Sequence, residues 1–336
     1  MSKIILAPME GVVDANMREL LTSVGGIDSC VTEFIRITNQ LLGAKELLKK
    51  VPELEPSSTV NKGATKSGVP VIVQFLGSDE NMLAHHSELA ASIGAKGIDL
   101  NFGCPSKTVN KHRGGAVLLD EPETIYKIIK AVRAATPSAI PVSAKMRLGN
   151  KDKTLALENA SAIESAGAAS LVVHARTKIE GYRPPAHWQW IRKIKDSIAI
   201  PVIANGDIWD WQDYQTCREV SGCEDVMIGR GILANPALAL MIKQRVQQSQ
   251  LSSTNVPIRF DWADVLALLL QYYANVQLAL PPPFVAGRVK QWLNMMRKRN
   301  DNAQLLFDRV KQITDLSELT QLLEQERIIA LSTRLA

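Results

Sequence analysis

The chain has few cysteines and no long apolar run, and each shortage argues against a class of protein. Only four of its 336 residues are cysteine, namely Cys30, Cys104, Cys217 and Cys223. None forms a Cys-x-x-Cys pair, which argues against a disulfide scaffold or a zinc ribbon, so we expect reduced thiols in the cytoplasm. Apolar runs such as 265–270 fall far short of the roughly 20 residues of a membrane helix. The first ten residues also lack the length and the small-residue cleavage site of a secretory signal.

Charge is distributed unevenly along the chain. The composition, 46% hydrophobic and 22% charged, is that of a globular protein that buries a core. The net charge of +5 is carried by the segment 286–311, where only Asp301 and Asp308 oppose seven basic residues. Such a concentration suggests a polyanionic partner, nucleic acid first, although a merely solvated helix face has the same pattern. The seven are Arg288, Lys290, Arg297, Lys298, Arg299, Arg309 and Lys311.

Eight short runs rich in β-branched and other apolar residues have the composition of buried parallel strands. Helical patterns separate them, for example one capped by Asp79 and ended at Gly94, and another that begins near Pro122. Eight strands alternating with helices over about 230 residues predict an α/β fold, a (β/α)8 TIM barrel. The predicted strands are 3–7, 30–33, 71–75, 97–101, 142–146, 170–175, 202–204 and 225–228.

The starts of the predicted strands alternate in a regular way. A glycine precedes strands 2, 4, 6 and 8 at a constant offset, as Gly26 precedes Cys30. A proline opens strands 3, 5 and 7, as Pro141 precedes Val142. A barrel whose interior layers draw on alternate strands accounts for this alternation, and a doubly wound sheet does not.

After Ile232 the strand signals stop and helical patterns follow. One helix is predicted from residue 261 to the prolines at 281–283, which stop it. The next places an apolar stripe on one face at helical spacing, so we predict a small helical bundle with a basic rim. We therefore expect a barrel domain over 1–245 that holds the catalytic site and a small all-helical domain over 255–336. The stripe consists of Val285, Val289, Trp292, Leu293 and Met296.

Polar residues gather where the predicted strands end, which is the catalytic face of a TIM barrel. The loops after strands 7 and 8 contain Gly206 and Gly229 at the usual phosphate site of this fold, which predicts a phosphorylated cofactor or substrate. The other strand-end residues are Pro8, Met9, Glu10, Glu33, Arg36, Gln74, Asn101, Lys145, Arg147, His174, Arg176, Asn205, Asp207 and Arg230.

Three residues of this face have distinctive chemistry. Lys145 ends an interior strand, where an ammonium needs an anionic partner: an anionic cofactor ring, a Schiff-base role, or an ion pair with Glu33 or Asp99 all remain open. Cys104 is the one cysteine on this face, and a thiol with a pKa near ~8.5 can act as an acid as well as a nucleophile. His174 fits a phosphate or a ring oxygen. No carboxylate and histidine spacing predicts a metal site.

Taken in order, the strand-end motifs resemble those of the tRNA-dihydrouridine synthases. The Asn-x-Gly-Cys-Pro motif at 101–105 is the most specific of them. The segment 288–293, Arg-Val-Lys-Gln-Trp-Leu, is similar to the bacterial C-type branch, which acts on uridine 16 of the tRNA D-loop. The other motifs are 7–11, 73–77, 99–106, 145–147, 173–177, 204–207 and 227–231.

The resemblance implies an FMN-containing barrel with NADPH as reductant. The target uridine would receive a hydride from flavin N5 at C6 and a proton from Cys104 at C5. Asp207 stands where a glutamate is common in the branch, which leaves its backbone contacts available. The cofactor-binding residues implied are Pro8, Met9, Glu10, Gln74, Lys145, His174, Asn205, Gly206, Asp207, Gly229 and Arg230.

The resemblance also implies that tRNA is the partner and that the helical domain binds it. We expect a cytoplasmic monomer that reduces a uridine of tRNA to 5,6-dihydrouridine. Two other functions stay open: an FMN barrel acting on a free pyrimidine, of the dihydroorotate dehydrogenase type, and a tRNA-binding factor without catalysis. The implied tRNA-binding residues are Arg36, Asn101, Tyr182, Arg288, Lys290 and Lys311.

Overall fold

A parallel sheet closes on itself in the computed structural model, which describes residues 2–55, 62–251 and 259–335. Eight strands pair in ring order β1, β2, β4, β5, β6, β7, β8, β9 and back to β1, and the β2–β4 pairing completes the ring. This confirms the predicted (β/α)8 TIM barrel. The strands are β1 (Ile4–Leu6), β2 (Ser29–Val31), β3 (Ile35–Arg36), β4 (Val71–Leu76), β5 (Ile98–Phe102), β6 (Val142–Arg147), β7 (Ser170–His174), β8 (Val202–Asn205) and β9 (Val226–Ile228).

The second barrel strand is interrupted, which the sequence did not predict. β2 ends at Val31, one continuous strand having been expected over 30–33, and the short β3 then pairs with the far end of β4. Between them Thr32 keeps contact with β4, because its backbone N–H donates to Ile72 O and its hydroxyl accepts from Gln74 N, both at 2.9–3.0 Å. The break carries Glu33 to the end of the barrel where the site residues lie.

Helices alternate with the strands of the barrel. Asp79 caps α3 as predicted, since its carboxylate accepts hydrogen bonds from Asn81 N and Met82 N. Gly222 caps α8 with a φ of +67° and donates to Arg218 O. The helices of this part are α1 (Ala15–Val24), α2 (Ala44–Lys50), α3 (Glu80–Ser92), α4 (Lys107–Lys111), α5 (Pro122–Ala135), α6 (Ala156–Ser165), α7 (Trp188–Lys195) and α8 (Trp211–Ser221), with 3-10 turns at Pro52–Leu54 and Gly115–Asp120.

The barrel interior has an apolar side and a polar side. Side chains of β1, β2, β7, β8 and β9 form one buried apolar cluster, made of Ile5, Ala7, Val31, Val172, Ile203 and Met227. On β4, β5 and β6 the equivalent inward positions hold Gln74, Asp99 and Ser143, which hydrogen-bond to one another. The buried polar side chains therefore lie on the half of the barrel formed by β4, β5 and β6.

The chain divides into two compact units. The first consists of Met1–Gly11 and Ile27–Gly229, and the second of Val12–Gly26 and Arg230–Ala336. The second unit thus includes α1 as well as the helices that follow the barrel. The assignment of catalysis to residues 1–245 and of tRNA binding to residues 255–336 stays a prediction.

The second unit is helical throughout its described part. Its apolar stripe on α12 is buried as predicted, and Trp292 lies at its centre: the indole N–H donates to Leu233 O at 3.1 Å, and the ring meets Tyr272 edge-on. Asp261 begins α11 with a capping box shared with Asp264. The helices are α9 (Arg230–Ala234), α10 (Leu238–Leu251), α11 (Trp262–Ala279), α12 (Pro282–Met296), α13 (Asp301–Val310) and α14 (Leu316–Leu335). Within the described residues, no helix has the length and apolarity to cross a membrane.

Candidate functional site

A chain of hydrogen bonds runs from the floor of the barrel to its catalytic face. Asp99 is buried on β5 and accepts hydrogen bonds from Gln74 Nε2 and Ser143 Oγ, each at 2.6 Å. Burial raises the pKa of Asp99, while these two donors and the nearby Lys145 ammonium act to lower it. Gln74 then accepts a hydrogen bond from Asn101 Nδ2 at 2.8 Å through its own Oε1. The orientation of both amides is fixed by this sequence of donors and acceptors.

Asn101 positions the cysteine loop, which we define as residues 102–116. Its Oδ1 accepts hydrogen bonds from the backbone N–H of Gly103 and of Cys104, both at 2.9 Å. The resemblance implied that Asn101 binds tRNA; in the structure its side-chain amide holds the cysteine loop. A side chain that satisfies two successive N–H groups fixes the backbone direction at Cys104.

The carbonyl of Cys104 is held from the other side of the loop. It accepts hydrogen bonds from Asn110 Nδ2 at 2.9 Å and from Ala116 N at 3.1 Å. The side chain itself is buried, with 8% exposure, and packs against Leu76 and Val109. Burial raises the pKa of the Cys104 thiol, so the group is a protonated thiol at neutral pH. It can give a proton, but it is poorly suited to act as a thiolate nucleophile.

Lys145 lies next to Asn101 in the barrel, since the two residues are paired in the register of β5 and β6. Desolvation by burial, helped by the positive charge of Arg147, lowers the pKa of Lys145 to about 8, against the opposing effects of Asp99 and Cys104. Asp99 was one of the two ion-pair partners considered for Lys145, and its charge does act on the lysine. Its charge is already satisfied by two hydrogen bonds, which leaves the ammonium suited to an additional anion.

Arg147 joins two loops of the site, a role that sequence reasoning did not assign. The side chain is buried, with its Nε donating to Gly103 O at 2.8 Å and its Nη1 donating to Thr177 O and Gly181 O at 3.0 and 2.9 Å. Its guanidinium also lies over the Tyr182 ring, 5.2 Å from the centroid. One cation therefore ties the cysteine loop to the segment that carries Tyr182.

The tyrosine loop, residues 177–187, presents Tyr182 beside the site. Tyr182 is 55% exposed, and its ring centroid lies 5.9 Å from that of His174. Glu180 holds the loop by accepting from Thr177 N at 2.6 Å and from Lys153 Nζ at 2.7 Å. Partial burial would raise the pKa of Glu180, but these bonds outweigh it and lower the pKa to about 2. An exposed aromatic ring on a well-held loop is suited to stack on a base.

The β8 loop, residues 205–207, forms part of the predicted phosphate site. Asn205 Nδ2 donates to Met227 O at 2.8 Å, which ties β8 to β9. Gly206 and Asp207 follow with φ of +128° and +51°. A side chain at Gly206 would approach His174 Cδ2 to 3.3 Å, and one at Gly229 would approach Met9 Sδ to 3.2 Å. Both glycines thus occupy crowded positions among the predicted cofactor residues.

The remaining predicted cofactor residues lie at the strand ends as expected, with one in the other unit. Pro8 and Met9 are partly buried after β1, and Glu10 is exposed there. The pKa of Glu10 is raised, mainly because its carboxyl group is partly desolvated by neighbouring atoms and secondly because the carboxylate of Glu33 is near. Arg230 begins α9 and belongs to the second unit.

The predicted tRNA-binding residues divide between the two units. Arg36 ends β3 in the first unit, together with Asn101 and Tyr182. In the second unit, Arg288 forms an ion pair with Asp14 and donates to Val12 O, so it holds α1 against α12. Lys311 pairs with Asp308 at 2.8 Å. Arg288, predicted as a tRNA-binding residue, therefore also stabilises the fold of the second unit.

No group of three or more His, Cys, Asp or Glu side chains that could hold a metal ion is found within residues 2–55, 62–251 and 259–335.

Comparison with known proteins places the chain in a family. The family model described as dihydrouridine synthase matches residues 5–327. A protein named tRNA-dihydrouridine(16) synthase from Aquipseudomonas alcaligenes is 46% identical over 96% of this chain and 98% of its own length. Proteins of the same name from Pseudomonas putida and Neisseria meningitidis serogroup A are 48% and 49% identical, over 96% of this chain and 97% and 94% of their own lengths.

The packing of Gly115 against Cys104 predicts a stability cost for Gly115→Ala. At φ +67° an added Cβ would lie 2.8 Å from Cys104 O and 2.9 Å from Cys104 Cβ, so the cysteine loop must shift. Gly11→Ala is the matched control, because Gly11 has a φ of +71° and nothing within 4 Å of an added Cβ. We expect Gly115→Ala to lower the free energy of unfolding by at least about 1 kcal/mol more than Gly11→Ala, as measured by urea denaturation. Equal losses would show that the contact with Cys104 is not tight.

Proposed function

The chain belongs to the dihydrouridine synthase family, and from that premise we propose that it reduces a uridine of tRNA to 5,6-dihydrouridine with FMN and NADPH. The names of its relatives point to uridine 16 as the target. The observation that carries the proposal is the buried Cys104 on a loop whose backbone Asn101 holds, with Lys145 paired to Asn101 on the neighbouring strand.

The residues present fit a flavin mononucleotide. Gly206 and Gly229 lie at the part of the rim where this fold binds phosphate, and an added Cβ would lie 3.3 Å from His174 Cδ2 at the first and 3.2 Å from Met9 Sδ at the second, so the tight packing there favours glycine. Lys145 offers a partly buried cation, and the neighbouring interior of β7, β8 and β9 is apolar, as a planar ring system requires. The residues of the first unit that would hold the group are Pro8, Met9, Glu10, Gln74, Lys145, His174, Asn205, Gly206, Asp207 and Gly229.

Cys104 supplies the proton of the reaction. A reduced flavin, when bound, supplies a hydride to C6 of uracil, and NADPH restores the reduced state. The electron pair of the C5=C6 bond then resides on C5, conjugated with the C4 carbonyl, and the Sγ–H proton of Cys104 is transferred to C5. Because burial keeps the thiol protonated, no separate proton source is needed at the start of the step.

Lys145 balances negative charge at the same place. Its ammonium stabilises the anionic form of the cofactor ring and, through Asn101, lies next to the segment that holds Cys104. Burial and the charge of Arg147 lower the pKa of Lys145, and an anion beside the ammonium would act in the opposite direction.

The second unit supplies the affinity for tRNA. The target base is stacked or paired in folded tRNA and must be turned out to reach the barrel, which costs a few kcal/mol. Phosphate contacts from the basic segment 286–311 offset that cost without reading bases. Among the described residues no ion pair of Lys290 or Lys298 is seen, whereas Arg288, Arg309 and Lys311 pair with carboxylates. The two lysines are therefore the residues best suited to phosphate contact.

Cys104→Ser tests the role of the thiol. We expect the variant to retain bound flavin, because the serine preserves the loop contacts, and to lose about 10²-fold or more in dihydrouridine formation, because a hydroxyl is a much weaker acid. Flavin absorbance and mass spectrometry of the tRNA product measure the two quantities. Cys223→Ala, at a buried cysteine outside the site, is the control and should retain turnover. Undiminished product formation by Cys104→Ser would refute the acid role.

Lys145 predicts a pH dependence with a defined sign. The ammonium is lost as the pH rises through its pKa, which is about 8 without an anion beside it and higher with the bound flavin, so flavin reduction by NADPH should slow at a pH above 8. Lys145→Arg retains the charge and should show a flatter profile up to pH 10, while Lys145→Met should be slow at every pH. Stopped-flow absorbance of the flavin measures the rate. Parallel profiles of wild type and both variants would remove Lys145 from this role.

The double variant Lys290→Ala and Lys298→Ala tests the docking surface. Removal of two phosphate contacts should reduce the slope of log Kd against log salt by about 2 and leave flavin reduction by NADPH unchanged. Lys127→Ala, which removes one exposed lysine of helix α5, is the control. Binding titrations at several salt concentrations provide the slopes. An unchanged slope would show that Lys290 and Lys298 do not contact the phosphates of tRNA.

A further inference from the structure

Arg176 lies between the β8 loop and the tyrosine loop and contacts both. Its side chain is completely buried just after β7. Nη2 forms an ion pair with the Asp207 carboxylate, and Nε donates to Arg183 O at 2.6 Å. One guanidinium thus binds the segment predicted to hold the cofactor and the segment that presents Tyr182. Its planar geometry makes the two contacts dependent on each other.

A second contact joins the same two loops independently. Trp188, directly after the tyrosine loop, donates its indole N–H to Gly206 O at 2.9 Å. The loops also pack closely, since a side chain at Gly206 would come within 3.4 Å of Ala186 Cβ. Displacement of either loop therefore disturbs the other.

The β8 loop has a backbone that needs such support. Asp207 has a φ of +51°, in the left-handed region, which residues with a Cβ adopt uncommonly, although aspartate and asparagine do so more readily than the others. The Arg176–Asp207 ion pair restrains the side chain of this residue.

Arg176 is retained at a cost. Its Nη1 is buried, and no hydrogen-bond partner for it is found among residues 2–55, 62–251 and 259–335. An unsatisfied buried donor on a charged group is unfavourable, and a neutral side chain of similar size would avoid it. A function that requires contact with both loops would account for an arginine at this position.

We propose that Arg176 is a positioning residue that couples cofactor binding at the β8 loop to the conformation of the tyrosine loop, so that FMN and tRNA strengthen each other's binding. The inference rests on the proposed function, because it takes the β8 loop as part of the flavin site. A phosphorylated ligand held by residues 205–207 restrains Asp207, and Arg176 transmits that restraint to Arg183 O and the loop around Tyr182. The effect on the two affinities must be equal, since binding free energies are linked.

The experiment compares flavin-free and FMN-loaded protein, with tRNA as the second ligand. We expect FMN to raise the affinity for tRNA by about 5-fold or more and to slow amide hydrogen exchange in residues 177–187. In Asp207→Asn and Arg176→Lys, each compared at saturating FMN, the gain in tRNA affinity and the slowing of exchange should largely disappear. Arg327→Gln breaks an ion pair in the second unit outside the basic segment 286–311 and is the matched control, with the FMN effect retained.

The outcomes separate this inference from the proposed function. Binding of FMN to wild type without any change in tRNA affinity or loop exchange would overturn the coupling and leave the proposed function intact. Failure of wild type to bind FMN would overturn both. If Arg176→Lys does not fold, as circular dichroism would show, Asp207→Asn decides, because asparagine tolerates the left-handed backbone. An undiminished FMN effect in Asp207→Asn would also overturn the coupling.

Discussion

The geometry of the site depends on a single side-chain amide. Asn101 uses its oxygen to hold two successive backbone N–H groups of the cysteine loop and its nitrogen to contact Gln74, which in turn rests on buried Asp99. The thiol therefore has a fixed place relative to the barrel floor, although it lies on a loop. A chain of this kind transmits the rigidity of the strands to the backbone at Cys104, because its hydrogen bonds fix the orientation of each amide.

The barrel was predictable because its signals are local. Glycine before even strands and proline before odd strands mark the boundaries of β-α units through backbone requirements that sequence shows directly, as Gly222 does at the end of α8. The placement of Cys104 and Lys145 at the carboxyl ends of barrel strands was predictable for the same reason, since a strand end fixes the face on which a residue lies. The apolar stripe of α12 followed from helical spacing alone.

The contacts that assemble the site were not predictable in this way. Arg147 and Arg176 donate hydrogen bonds to the backbone carbonyl groups of Gly103 and Arg183, respectively. Because every residue has a backbone carbonyl, the sequence does not indicate which one an arginine will contact. The ion pair of Asp14 with Arg288 joins residues 274 positions apart. The same contact changes the interpretation of Arg288, which supports the helical unit whatever it does for RNA. At the break between β2 and β3 the Thr32 hydroxyl likewise accepts a hydrogen bond from a backbone N–H group, that of Gln74 on β4, and such a partner leaves no mark in the sequence.

The membership of α1 in the helical unit has a consequence for synthesis on the ribosome. Its apolar face, with Met17, Leu20 and Leu21, is buried in a unit whose other helices start at residue 230 or later. At about 5–20 residues per second, those helices emerge many seconds after α1 does. Throughout that interval α1 lacks the helices that share its unit, so its apolar face stays uncovered until residues 230 and later have left the exit tunnel.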